Sequence, residues 1–138
     1  AADQFDVFLK NFLMPNTLYG ESGPVIETPF AGVSTLHDFY MQDWGDRIRV
    51  FYGCPDEWKD ARFERLRAAG AFLVSAERRG GRTAVVSVLS EKGGPCTIQT
   101  DISPEELEIT CDGTPVQFEL LPSLETGSTG SMFTRKEQ

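Results

Sequence analysis

The chain of 138 residues holds a single histidine, His37, and only three cysteines, Cys54, Cys96 and Cys111. Three thiols cannot all pair with one another, none stands in C-x-x-C spacing, and one histidine cannot complete a zinc set with them. No metal site and no cofactor is therefore expected. Cys96 and Cys111 each fall on the apolar face of a strand pattern, so buried reduced thiols are expected, with a disulfide as the alternative. Positive charge is also scarce. Thirteen Lys+Arg face 21 Asp+Glu, a net charge of −8, which argues against a nucleic-acid partner, since such binders need a basic face. No apolar run approaches the ~18 residues of a transmembrane span, so no membrane partner is expected. The opening Ala1-Ala2-Asp3-Gln4-Phe5-Asp6 lacks the basic-then-apolar pattern of an export signal, and the compartment stays open. There is no phosphate loop, because Gly80-Gly81 and Gly93-Gly94 are not followed by Lys-Ser/Thr. No nucleophile set is readable either: His37 lies mid-helix beside Asp38, with no serine or cysteine placed to use it.

What the chain does have is enough apolar material for a core. Its 40 % hydrophobic and 25 % charged content is too rich for disorder, and a chain of this size can bury roughly 70 % of its unfolded surface. The basic residues are unevenly spread. Arg47, Arg49, Lys59, Arg62, Arg65, Arg67, Arg78, Arg79 and Arg82 outnumber the acids within 47–82 by four. They make either a patch for an acidic ligand or strand faces of alternating charge that keep edges soluble.

The hydrophobic period changes along the chain. Phe5, Phe8, Leu9, Phe12 and Leu13 follow one stripe of an amphipathic helix over Asp3 to Met14, ended by Pro15-Asn16. Residues 16–30 read as an ordered loop anchored by Leu18, Tyr19, Val25, Ile26 and Phe30. A second helix is expected from about Ser34 to Trp44, capped by Ser34 or Thr35 and stopped by Gly45. Its buried side is Leu36, Phe39, Tyr40 and Trp44.

From Arg47 the period falls to two. Ile48 and Val50 alternate with Arg47 and Arg49. Phe72, Val74 and Ala76 alternate with Leu73, Ser75 and Glu77. Gly80-Gly81 then turns into a strand over Arg82 to Leu89, apolar on both faces and so expected to be central. A further strand follows Gly93-Gly94-Pro95, with Cys96, Ile98, Thr100 and Ile102 inward. A hairpin turns at Asp112-Gly113, with Leu107, Ile109 and Cys111 facing in on one arm and Val116, Phe118 and Leu120 on the other. The fold class is α+β: terminal helices over 1–46, an antiparallel β-sandwich over 47–121 and a linker-like tail over 122–138. Two helices with so large an aromatic load (Phe5, Phe8, Phe12, Phe39, Tyr40, Trp44) normally belong to a bundle or barrel with more members, which suggests a fragment.

One carboxylate stands out. Glu27 lies between Ile26 and Pro29-Phe30 near the mouth of a helix, where burial and the helix dipole can tune an acid toward general-base work. The plainer reading is an acid that complements the dipole.

Several segments together carry a resemblance. Ile26-Glu27-Thr28-Pro29-Phe30-Ala31-Gly32, Gln42-Asp43-Trp44-Gly45-Asp46-Arg47-Ile48 and Cys54-Pro55-Asp56-Glu57-Trp58-Lys59-Asp60 occur in order. Leu66-Arg67-Ala68-Ala69-Gly70-Ala71-Phe72-Leu73-Val74 and Gly93-Gly94-Pro95-Cys96 follow. This order resembles the C-terminal part of the family 95 glycoside hydrolases, fucosidase-like enzymes with a six-hairpin α/α barrel followed by a β-sandwich.

The resemblance implies that Glu27 falls on the family's catalytic aspartate, the base that activates a water with the help of Asn side chains. A glutamic acid elsewhere in the barrel protonates the leaving oxygen, and the configuration inverts. The two carboxyl groups work on opposite faces of the sugar, about 6.5–9.5 Å apart. The chain departs from the pattern in having Glu for Asp, Pro29 where the family has Asn, and Glu21 where it has His. Glu21 and Trp44 are further candidates for substrate binding.

The expectation is thus the C-terminal piece of an inverting glycoside hydrolase acting on a carbohydrate substrate, inactive alone because the general acid lies upstream. Two other readings stand beside it. One is a carbohydrate-binding sandwich with Trp58 or Trp44 stacking on sugar rings. The other is a structural domain whose helical faces pair in an oligomer.

Overall fold

The computed structural model describes residues 2–16, 19–20, 24–25, 27–122 and 131–135. Leu18, Glu21, Ile26 and most of the linker-like run over 125–131 lie outside the described residues. The chain divides after Phe39 into a helical unit and a strand unit.

In the helical unit, α1 covers Ala2–Asn11 and α2 begins at Glu27, running to Tyr40. The first helix stops at Asn11, short of Met14, and the Asn11 side-chain amide folds back to donate to Val7 O (2.9 Å). Beyond it Leu13 bridges Tyr19, and Gly20 N–H donates to Phe12 O (2.9 Å). A short ladder of β1 (Tyr19–Gly20) and β2 (Pro24–Val25) follows.

The expected start of α2 at Ser34 is corrected to Glu27. Pro29 falls in the first turn, where the missing N–H has no intrahelical partner to lose, so the proline starts the helix rather than breaking it. Thr35 is consequently no cap: mid-helix, its Oγ1 donates to Ala31 O (2.9 Å). The helices meet through rings. Phe5 packs edge-on to Phe39 (5.7 Å between centroids), and Phe8 stacks on Tyr19 (5.7 Å). A Cβ on Gly32 would stand 2.7 Å from the Phe8 ring, so only glycine lets that ring lie against α2. Even so, α1 buries no residue fully and α2 buries only Phe39.

The strand unit begins where the helix was expected to continue. Met41–Gln42 form β3, paired antiparallel with β4 (Ile48–Val50) in the register Met41↔Val50. Ladder bonds to β4 outcompete further helix there. Next come β5 (Ala61–Ala68), β6 (Phe72–Arg79) and β7 (Arg82–Ser90), a three-stranded antiparallel meander with β6 in the middle. The expectation of a central β7 is therefore corrected: it is an edge, and Val85 and Leu89 are about half exposed.

The strand β8 (Thr97–Thr100) lies parallel to β4, since the whole meander intervenes between them. A 3₁₀ turn over Pro104–Glu106 leads to β9 (Thr110–Cys111) and β10 (Thr114–Pro115), joined through Asp112-Gly113 with both residues at positive φ. That ladder is shorter than its apolar pattern implied, although Val116 N–H still donates to Ile109 O (3.1 Å) just beyond it. Strand β11 (Phe118–Leu121) instead pairs with β12 (Ser131–Arg135), so part of the expected tail belongs to the sheet. The five-stranded order is β11-β12-β8-β4-β3.

One buried cluster draws on both larger sheets. Met41, Ile48, Val50 and Ile98 meet Phe63, Ala68, Phe72, Val74 and Ala76, with Phe51 among them. Arg49, expected to face solvent, is only 2 % exposed, so β4 is buried along its whole length. A second buried guanidinium, Arg78, is held by Asp101 (3.6 Å) and by Trp58 O (3.3 Å). The Asp101 carboxylate also accepts the Thr83 N–H (3.0 Å), tying the start of β7 to the end of β8. A charge buried this deeply is costly unless matched, so the triad Arg78–Asp101–Thr83 is a structural knot.

Candidate functional site

Glu27 is exposed and is the first residue of α2. A carboxylate there meets the unpaired N–H groups of the first turn, an electrostatically favourable place for negative charge. Phe30, one turn on, is 65 % exposed, and so is Val33. The acid thus stands at the end of an apolar helix face. Glu21 lies outside the described residues. Trp44 belongs to the strand unit and Glu27 to the helical unit.

Trp44 is built into the loop between β3 and β4. Gly45 and Asp46 both take left-handed backbone angles (φ 71° and 56°), which reverses the chain in a short span. The indole is 63 % exposed, yet it is not loose. The Arg49 guanidinium carbon lies 3.7 Å from the ring centroid, and Arg49 Nη1 donates to Trp44 O (2.7 Å). Asp43 Oδ2 accepts the Ala69 N–H (2.7 Å), pinning this loop to the turn between β5 and β6. A buried cation therefore covers the indole while most of the ring meets solvent. Chemically this is a flat, fixed, apolar platform beside an acidic loop, suited to stacking rather than proton transfer.

Sequence reasoning missed Arg49 because strict alternation assigned it to solvent. The available signal was its spacing: Trp44 and Arg49 bracket a Gly-Asp turn between two strand patterns. Trp58 is different. It is half-buried, packs against Tyr40 (6.0 Å between centroids) and gives its carbonyl to Arg78.

Four of the exposed arginines carry a carboxylate partner. Arg62 pairs with Glu64, Arg67 with Glu91, Arg79 with Glu77 and Arg82 with Glu106. Hydrogen bonds from Arg79 and Arg67 hold the Glu77 and Glu91 carboxyls below the usual range. At Glu106 a hydrogen bond from the Ser103 hydroxyl is the largest cause of the same lowering, followed by the hydrogen bond and charge of Arg82. These pairs are exposed and serve solubility more than stability.

The three thiols are half-buried and none is in a disulfide. Burial raises Cys54, against a smaller opposing effect of Arg78, and pushes Cys96 up to about 11. Such thiols are poor nucleophiles. Among the described residues, no three His, Cys, Asp or Glu side chains converge as a metal site requires. No protein-family model and no curated protein matches the chain.

Proposed function

We propose that this chain is the C-terminal part of a family 95-like inverting glycoside hydrolase. In this reading α1 and α2 are the last helices of an α/α barrel. The three- and five-stranded sheets are the layers of a β-sandwich that closes it, and Glu27 is the general base. The observation that carries the reading is the helical pair itself. On the two helices and the segment just past α1, the apolar residues Val7, Leu9, Phe12, Met14, Phe30 and Val33 are each at least 40 % exposed, the condition of helices whose neighbours are other barrel helices. Supporting it, Glu27 stands at the exposed helix mouth next to that face. One buried cluster shared by two sheets supports the sandwich. The chain supplies a base without its acid, so by itself it is inactive.

The test uses nitrophenyl α-fucoside and α-galactoside, with this chain and with the longer parent enzyme. No turnover is expected from the chain alone. Glu27→Gln in the parent should lower kcat by about 10²- to 10⁴-fold. Turnover by the chain alone, or a parent indifferent to Glu27→Gln, overturns the reading.

A second reading rests on Trp44. An indole 63 % exposed and backed by Arg49 suits a carbohydrate-binding sandwich in which the ring stacks on a sugar. Quenching of tryptophan fluorescence by neutral oligosaccharides, lost in Trp44→Ala, favours it; no quenching removes it.

A further inference from the structure

The two edges of the three-stranded meander are unlike. Along β5 the residues Arg62, Glu64, Arg65 and Arg67 are all exposed, and a bulge interrupts the register between Phe63 and Leu66. Charges and bulges are the usual means of keeping an edge from pairing. The other edge, β7, has neither along its outer half. From Thr83 to Ser90 it carries no charge, and from Val85 to Ser90 its register with β6 is unbroken.

The direction of its free hydrogen-bonding groups follows from the ladder. Glu91 N–H donates to Ala71 O (3.0 Å), and the next pairs are Leu73↔Leu89, Ser75↔Ser87 and Glu77↔Val85. Alternation in an antiparallel pair turns residues 85, 87 and 89 toward β6 and the N–H and C=O of Val86 and Val88 away from it. Among the described residues no strand pairs with that side. At Thr83 the outward N–H is already taken by Asp101 (3.0 Å), so the open edge starts beyond it. A cleft of about 750 Å³ lies along this strand, lined by Val86 and Val88 together with Ile98, Ile102, Leu107 and Ile109.

We propose that β7 is a self-association edge, pairing antiparallel with β7 of a second copy of this chain about Ser87, so that Val86 of each copy lies opposite Val88 of the other. The strand is complementary to itself in that arrangement. Uncharged residues meet uncharged residues throughout, and a two-fold axis places identical patches opposite one another. Residues directly opposite in an antiparallel pair share a face, so the partner's valines enter the cleft while its backbone satisfies Val86 and Val88.

Sedimentation equilibrium of this chain across a wide concentration range tests the idea. A dimer is expected. Val85→Lys/Leu89→Lys, which alters two half-exposed side chains, should weaken it about 100-fold through like charges facing across the axis. The far-UV spectrum should stay the same. On the unmodified chain, the Val86 and Val88 amides should exchange more slowly as concentration rises, a readout that needs no variant. A monomer at all concentrations overturns the proposal. So does a dimer that ignores the lysines and is lost in Phe30→Glu/Val33→Glu, because it then forms through the helices. So do Val86 and Val88 exchange rates independent of concentration.

Discussion

The Cys96 thiol packs against the core cluster of the strand unit, and burial raises it from an ordinary 9.0 to about 11. The consequence for stability has a definite sign. Above pH 9 the unfolded chain releases this proton while the folded chain keeps it, so folding loses support as pH climbs from 9 toward 11. With the solvent still reaching the thiol taken into account, the loss is about 1–2 kcal/mol. Urea unfolding at pH 8, 9, 10 and 11 should show a decline that is shallower in Cys96→Ala; parallel declines would sink the idea. Burial of this thiol was legible from strand alternation, because a period of two needs only neighbouring residues. Burial of Arg49 was not. Its place is set by the pairing of β4 with β8 and by the loop that carries Trp44, neither of which a period-two pattern contains.

At the scale of elements, turn geometry decides where strands begin. Between β5 and β6 the chain reverses through Gly70 and Ala71, with φ of 82° and 63°. Alanine in the left-handed region is strained by ~1–2 kcal/mol, whereas glycine is not. Ala71→Gly should therefore stabilise the strand unit by about 0.5–1 kcal/mol, after the greater freedom of glycine in the unfolded chain is subtracted. A rise in the urea midpoint with unchanged slope is the expected result; a fall would contradict the backbone argument.

The same scale explains which elements sequence patterning missed. Over Ala61–Ala68 the inward residues are Phe63 and then Leu66 and Ala68. The bulge at Glu64-Arg65, with Arg65 at φ 54°, shifts the phase by one residue and destroys a period-two signal. No strand was expected there for that reason. In α2 the difficulty was Pro29, a breaker in mid-helix but acceptable in a first turn. For β7, apolar residues on both faces pointed to a central strand. The same composition also fits an edge that a second chain covers.

For the whole molecule, the division after Phe39 predicts uneven stability. The strand unit owns the buried cluster, while among the described residues the helical unit holds one buried side chain, Phe39. A calorimetric scan should show two transitions. The weaker should be abolished by Phe5→Ala, which removes ring contacts with Phe8 and Phe39, with the stronger left in place. A single transition shifted by Phe5→Ala would show that the units unfold together. In the proposed parent, a helical unit this thinly packed draws its stability from the other barrel helices.

By itself the sequence determined the α+β class, the order of helices before strands, the Gly80-Gly81 and Asp112-Gly113 turns and the prominence of Glu27. These rest on periodicity, turn chemistry and the charge of one side chain, all local properties. Tertiary structure alone decided that β4 runs parallel to β8, that Ser131–Arg135 joins the sheet beside β11, that β7 is an edge and that Arg49 lies buried over Trp44. Each depends on which distant segments meet. That is settled by how much apolar surface and how many backbone hydrogen bonds the assembled sheets can satisfy together, a quantity no window of neighbouring residues contains.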